Sequence, residues 1–473
     1  MRLFIPISLF ATVIGAGATE ATTVSAQSSP TVPVAGHLQA SLLAPPASHQ
    51  AARPTLHPLL NPHPDALKTA RQKAAGGGPL TSRSAPTNAT QSAPSGSVFN
   101  GLNQPGLAAA DEGNAATPPD PTGAIGPNQY IEMVNQLVGV FDRGTLVRLS
   151  STDFATFAHV PSGVGTSDPQ IEWDPAANRW LYAMVGVATG NNYLLFGWTK
   201  TADPTNLSSG WCNFGVYTGS NLQDYPKLGH DANWVVIGSN VYSDTNSSFP
   251  FITAQIWAFP KPAATDTTCS SPVNATFFAD ATHPLKNADG TPAFTPVPAN
   301  TTDSGNDYIV GTRDVSLAPA SKVMVWHMEA KPAPTLVADG DISVNSYSIP
   351  PAVPQPGTGY LIDSLDGRLT QAVARFDPTA GREALWTQQT IGVSGRSAVR
   401  WYEFLPSMKT VRQQGQIASA TDYYWNAAIS PSSAGNDAAV FYNRGSASQL
   451  ALIGAQTRAS STPLSQMDAG ETV

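Results

Sequence analysis

One outline occurs three times in this chain, and it constrains the fold more than any other feature. Ser167-Asp-Pro-Gln-Ile-Glu-Trp-Asp174 runs on to Arg179-Trp-Leu-Tyr-Ala-Met184. Asp224-Tyr-Pro-Lys-Leu-Gly-His-Asp231 leads into Trp234-Val-Val-Ile-Gly238, and Asp120-Pro-Thr-Gly-Ala-Ile-Gly-Pro-Asn-Gln129 leads into Tyr130-Ile-Glu-Met-Val134. Each time an Asp with a proline one or two residues on opens a turn, and the aromatic of an apolar strand follows about 10 to 12 residues later, the spacing of a repeated two-strand unit. Unit starts near Asp120, Asp168, Asp224, Asp303, Asp363 and Asn426 lie roughly 50 to 80 residues apart, a blade period with loop insertions. The fold class expected is all-β, a β-propeller of six or seven blades behind a disordered N-terminal segment. A β-sandwich or jelly roll would also show short strands, but not the repeated Asp-to-aromatic unit.

Composition agrees with turn-rich β-structure. Of 473 residues only 12% are charged, while Gly (39) and Pro (41) are abundant. The formal net charge of −8 argues against nucleic acid and anionic membrane surfaces, which need a basic footprint. Residues 1–26 read as an export signal: Arg2, an apolar run from Leu3 to Ala18, and small residues at Val24-Ser25-Ala26. No later stretch is apolar enough to span a bilayer, so a secreted, extracellular or periplasmic monomer is expected. In an oxidising compartment the two cysteines, Cys212 and Cys269, are expected to pair. They are too far apart, with no local His cluster, for a zinc site.

Residues 27–115 are rich in Ala, Pro, Ser, Thr and Gly and poor in large apolar side chains. Such a stretch cannot offset its ordering entropy, and it reads as a disordered linker or pro-region with a short helix near Asp65 to Ala74. The propeller is expected over 116–460 and a polar tail over 461–473. Runs such as Tyr130–Val134, Leu137–Phe141, Trp180–Val187, Tyr193–Trp198, Trp234–Ser239, Thr253–Phe259, Lys322–His327, Gln371–Phe376, Ala398–Phe404 and Ala438–Tyr442 have strand length and strand composition. Residues 260–300 read as a long surface loop that Cys269 pins down.

Three motifs, Pro118-Pro-Asp-Pro-Thr-Gly-Ala-Ile-Gly-Pro-Asn-Gln-Tyr130, Asp224-Tyr-Pro-Lys-Leu-Gly229 and Ala398-Val-Arg-Trp-Tyr-Glu403, resemble a group of large secreted bacterial β-propeller-like proteins that are usually left uncharacterised. Some of these carry sorting or adhesion modules. The likeness covers about residues 115–460 and implies the fold; it assigns no catalytic residue. In that group the chain runs on past the segment resembling Leu452-Ile-Gly-Ala-Gln-Thr-Arg458 into a further Asp-Tyr unit. The resemblance therefore implies that the ring here closes with fewer blades or that the reading frame ends early.

If each opening Asp lies where an innermost strand begins, Asp120, Asp168 and Asp224 gather on one axial face. Carboxylates there have three uses. They can bind Ca²⁺ through hard oxygen ligands, supply the acid and base of glycoside hydrolysis, or cap their own turns. Lys227 and Arg313 are candidates for binding the carboxylates of acidic sugars, and His230, at an expected turn, is a candidate base. Most of the ten Trp and thirteen Tyr are expected to pack blades. Tyr423-Tyr424-Trp425 is the expected exception, because adjacent strand residues point to opposite faces, and Tyr424 and Trp425 are therefore candidate sugar-stacking residues. The first functional expectation is a binding module for an extracellular glycan or cell-surface protein, with calcium as the candidate cofactor. The second is a polysaccharide-cleaving enzyme using a pair of the three Asp residues, and the third a structural or adhesive protein without a small-ligand site.

Overall fold

The computed structural model describes residues 35–45, 59–76, 102, 104–111, 118–269, 272–302, 305–329 and 333–471. The expected signal peptide and the unit start at Asp303 lie outside them. From residue 122 onward the described chain forms six consecutive antiparallel meanders. The first comprises Thr122–Ile125, Gln129–Val134, Leu137–Asp142 and Arg148–Asp153. The second comprises Gly165–Asp174, Arg179–Val187, Asn192–Thr199 and Trp211–Gly219. Asn221–His230, Trp234–Ser243, Phe251–Pro260 and Val273–Phe278 form the third. Phe294–Thr301, Asp307–Thr312, Ala320–Glu329 and Thr335–Tyr347 form the fourth. The fifth is Leu369–Asp377, Arg382–Val393, Arg396–Leu405 and Thr410–Ile417; the sixth has three strands, Tyr423–Pro431, Ala438–Ser446 and Gln449–Arg458.

The first strands of neighbouring meanders touch in parallel. His230 pairs with Asn300, and Ala299–Thr301 pair with Ala372–Ala374. First strands side by side, with later strands radiating outward, define a β-propeller. Its cores lie between consecutive sheets. Ile131, Met133, Val138 and Val140 of the first sheet pack on Trp180, Tyr182 and Met184 of the second. Leu194, Phe196 and Phe214 of the second pack with Val235, Ile237 and Trp257 of the third. Because both faces are covered, Arg179–Val187 is buried at all but its last position. That explains why such strands read as continuous apolar runs rather than alternating ones. Truncating one of the fully buried rings, such as Trp180 or Trp401, to Ala would cost about 3–5 kcal/mol.

The N-terminal region departs from the disordered reading in two places. Ala35–Leu42 is a strand that pairs antiparallel with Val273–Phe278 through Ala35–Ala40, and then with Gly215 and Phe214 through Ser41 and Leu42. It thus stitches the outer edges of the second and third sheets together and covers edges that would otherwise be open to pairing. A Cβ on Gly36 would stand 2.2 Å from the Phe277 ring, so only glycine allows that approach. The second ordered piece is Pro64–Ala75, the helix expected near Asp65–Ala74, with Pro64 starting it and Leu67 buried against the fourth and fifth sheets.

Two further expectations change. The stretch 260–300 is not one loop, since Val273–Phe278 completes the third sheet. Cys212 and Cys269 are bridged and tie the preceding segment back to the second sheet. The polar tail is also held, through Glu471 to Tyr442 and Arg444 and through Asp468 to Thr457. Among the described residues no helix is long and apolar enough to cross a membrane.

Candidate axial site

From the second blade on, the repeated element is a bulge inside the innermost strand rather than a turn before it. Pairing slips between Ser167 and Gln170, Asp224 and Lys227, Phe294 and Val297, Leu369 and Gln371, and Trp425 and Ala428. At four of these five slips the backbone is left-handed: φ is 55° at Asp168, 54° at Tyr225, 49° at Thr295 and 46° at Asn426, while the Leu369–Gln371 slip has no such residue and Asp120, at 38°, stands just before the first strand. Proline follows at positions 121, 169, 226 and 296. The true equivalents of Asp120 and Asp168 are therefore Tyr225 and Thr295, and Asp224 sits one residue earlier. Each left-handed non-glycine residue costs about 1–3 kcal/mol, and such strain persists only where the surroundings impose it.

A side chain from the preceding blade imposes it. Asn135 accepts the amide of Asp168 at 3.1 Å, and Asp168 accepts the amide of Tyr225 at 3.1 Å. Asn240 accepts the amide of Thr295 at 2.8 Å, and Thr390 that of Asn426 at 3.1 Å. The bulges are thus chained from blade to blade. Asp168 has a scaffold duty in that chain, and Asp120 accepts 2.8 Å from the amide group of the same Asn135.

Around this chain the structure brings together Asp120, Asp168, Asp224 and Lys227 with Tyr225, Tyr242, Asp366 and Arg368. The Lys227 ammonium lies 3.7 Å from the Tyr225 ring centroid, and the Arg368 guanidinium 4.8 Å from the same ring and 4.6 Å from that of Phe294. Arg368 is also clamped by Asp366 through Nε at 2.7 Å and Nη2 at 2.8 Å. Its Nη1 is buried without a partner, as is the Tyr242 hydroxyl. Among the described residues the Asp224 carboxyl makes no hydrogen bond, and Lys227, 6% exposed, pairs with no carboxylate.

The charges are tuned accordingly. Burial, then the neighbouring Asp168, pushes the Asp120 carboxyl up to about 6. Burial, then Asp168, pushes Asp224 well above the carboxylate range. Burial also raises Asp168, opposed by the Tyr225 amide and Lys227. Burial brings Lys227 down to about 8, although Asp168, Asp120 and Asp224 pull the other way. At Asp366 burial is outweighed by the charge and hydrogen bonds of Arg368, which hold it low.

The other expected residues fall elsewhere. His230 ends an innermost strand and is fully buried, not at a surface turn. It lies five residues past the left-handed Tyr225, and Asp174 six past Asp168, about 15–20 Å along the strand from the bulges. There His230 faces Glu172 at 3.9 Å and Asp174 at 3.8 Å, and Lys261 pairs with Asp174. Burial, opposed by Asp174, brings His230 down to about 4, so it is neutral and shielded from solvent. Arg313 lines a separate cleft of about 190 Å³ in the fourth blade with Asn287, Asp289, Lys322 and Asp341. Tyr424 and Trp425 are 8% and 3% exposed. Tyr424 packs edge-on against Tyr442, and Trp425 lies over Gly445. Alternation sends them to opposite faces as expected, but both faces are covered. Nor is calcium favoured. Among the described residues no three His, Cys, Asp or Glu side chains are arranged to hold a metal ion. One oxygen each of Asp120 and Asp168 is engaged, by Asn135 and the Tyr225 amide, and Lys227 supplies positive charge.

Arg368, Asp366 and Tyr242 complete the axial group without standing out in the sequence. The one local signal is Asp366-Gly-Arg368 just before a strand. Gly367, at φ 85°, makes the turn that folds the guanidinium back on the carboxylate.

No protein-family model matches the chain, and no curated protein matches it. Among solved structures it is similar to a sialidase of Trypanosoma rangeli (8% identity, TM-score 0.39, 71% of this chain and 54% of that one). It is also similar to a xylan β-1,4-xylosidase from Bacillus halodurans C-125 (11%, TM-score 0.29, 61% and 53%). A third is the WD40 domain of SCAP from fission yeast (9%, TM-score 0.27, 72% and 75%). The chain spans about half the length of the first two. The propeller assignment rests on sheet order and inner-strand pairing, not on these likenesses.

Proposed function

We propose that the protein is an exported β-propeller that binds an extracellular glycan at its axial face. One observation carries this reading: Asp224, Lys227, Tyr242 Oη and Arg368 Nη1 gather at one end of the innermost strands without hydrogen-bond partners among the described residues. Leaving the buried Tyr242 Oη and Arg368 Nη1 unpaired costs about 1–3 kcal/mol each. Sugar hydroxyls, each both donor and acceptor, would satisfy a mixed set of acids, cations and phenols. The rings of Tyr225 and Phe294 hold the cations in place rather than stacking on a sugar. A glycan screen of the whole chain, scoring retention and new reducing ends, tests the reading. Retention that disappears in Lys227→Met and Asp224→Asn supports it; a folded chain that retains no glycan contradicts it.

Cleavage is the second reading, favoured by the unequal proton affinities of neighbouring carboxyls. Burial raises Asp120 to about 6 and raises Asp224 well above the carboxylate range, while the Tyr225 amide and Lys227 oppose the rise at Asp168 beside them. Glycoside hydrolysis needs one carboxyl to protonate the leaving oxygen and another to act on the sugar. Reducing ends that form in the wild type and vanish in Asp224→Asn are the expected sign.

A further inference from the structure

We propose that residues 59–76 are an intramolecular latch that closes the axial site, and that ligand and latch compete for Arg368 and Asp366. The inference rests on the axial group being the binding site. The segment adds no strand to any sheet; it crosses the rim of the fourth and fifth blades and makes its polar contacts at the site. The Leu60 carbonyl accepts from Arg368 Nη2 at 2.9 Å. The Asn61 side-chain amide donates to Asp366 at 2.8 Å and to Asp314 at 3.1 Å, and its oxygen accepts from Ser316. His63 reaches Asp314 at 2.8 Å. Arg71 bridges to Asp363 at 2.7 Å and to the Leu365 carbonyl at 2.7 Å.

Two of these contacts use groups of the candidate site itself. Arg368 is 1% exposed with Leu60 in place. Lifting the segment would free one N–H of Nη2 beside the already unpartnered Nη1, and would leave Asp366 Oδ2 with Arg368 as its remaining partner. The hold is also light. Leu67 is the segment's one fully buried apolar side chain, with Leu59 and Ala70 partly buried beside it. The 12-residue helix has no side-chain N-cap, and a helix of that length is marginal by itself. The Ala35–Leu42 strand anchors the chain upstream, so the latch can open while staying tethered.

The test needs no ligand at first. Phenylglyoxal modification of Arg368, followed by peptide mass spectrometry, is compared between the wild type and Asn61→Ala/Arg71→Ala. At least tenfold faster modification of Arg368 is expected in the variant, with faster amide exchange confined to residues 59–76. An equal rate in a variant whose helix amides do exchange faster overturns the latch. If the double variant does not fold, Arg71→Ala, which removes a part-exposed ion pair, gives the same comparison with an expected two- to fivefold increase; no increase overturns the proposal. A glycan arm separates the two readings. Faster modification with no glycan retained by either protein supports the latch and contradicts the glycan reading. Equal modification with glycan retained equally does the reverse.

Discussion

The innermost strands of the second and third blades carry a charged cluster at each end, and the two are built on opposite principles. At the closed end Asp174 is fully buried and paired with Lys261, whose ammonium also bonds the Asp231 carbonyl. Burial holds Glu172 and Asp307 well above the carboxylate range, so they keep their protons, and neighbouring acids reinforce this. His230 there stays neutral. At the axial end the backbone is left-handed at the bulges of the second, third, fourth and sixth blades, a cation sits on a tyrosine ring without a carboxylate partner, and a guanidinium N–H is unused. Both ends bury polar atoms without hydrogen-bond partners, the closed one at Asp307 and His230, and both shift proton affinities. The difference is charge: the closed end is largely neutral or ion-paired, whereas the axial end keeps the Lys227 and Arg368 cations beside several carboxyls.

Substitutions can break this contrast. The largest effect is expected from Lys261→Met, which strands the buried Asp174 carboxylate and should remove about 3–5 kcal/mol in urea unfolding. A loss under about 1 kcal/mol would mean the closed end is not the structural one.

Lys227→Met should do the opposite and raise stability at pH 7 by roughly 1–3 kcal/mol, while abolishing ligand retention. The sign follows from proton binding. With its folded value brought down to about 8 from 10.5, Lys227 is protonated in the unfolded chain but increasingly neutral in the folded one between those values. Wild-type stability relative to the variant therefore rises across that window, and the variant's advantage disappears near pH 10.5.

A smaller effect of the same kind belongs to Asp120. Its folded value of about 6 against 3.8 means the folded chain binds the proton more tightly. The stability from that proton is complete below about pH 4 and is lost as pH rises through 6. Asp120→Asn should sharpen the contrast by gaining about 1–2 kcal/mol above pH 7, the figure discounted because the group is partly exposed. Matched denaturation curves at pH 4 and 7.5 check it. The smallest change in stability, within about 1 kcal/mol, is expected for Asp224→Asn, since the amide mimics an acid already held protonated. Any reducing-end activity should vanish in that variant.

Much of the fold was legible in the sequence and much of the site was not, for physical reasons. Strands such as Arg179–Val187 and Trp234–Ser243 stand out because burial on both faces demands apolar runs. The Asp-Pro repeat marks a real structural period, yet it aligns Asp224 with Asp120 and Asp168 where the backbone aligns Tyr225. Only the left-handed residue before the proline repeats, and a torsion angle leaves no letter in the sequence. Tyr424 and Trp425 show the converse. Period two divided them between faces correctly, but whether a face meets solvent depends on neighbouring blades. Arg368 reaches the site from the fifth blade, some 140 residues after Lys227, and no local pattern encodes that meeting. Low complexity also concealed the N-terminal strand and latch, whose partners lie over 170 residues downstream.

The most direct measurement is a calorimetric titration of the best-retained glycan into wild type and Lys227→Met at pH 7, each shown to be folded. Binding by the wild type, with affinity lost at least tenfold in a variant that is equally or more stable, is the predicted result. Unchanged affinity in Lys227→Met would contradict the assignment of the axial group as the binding site.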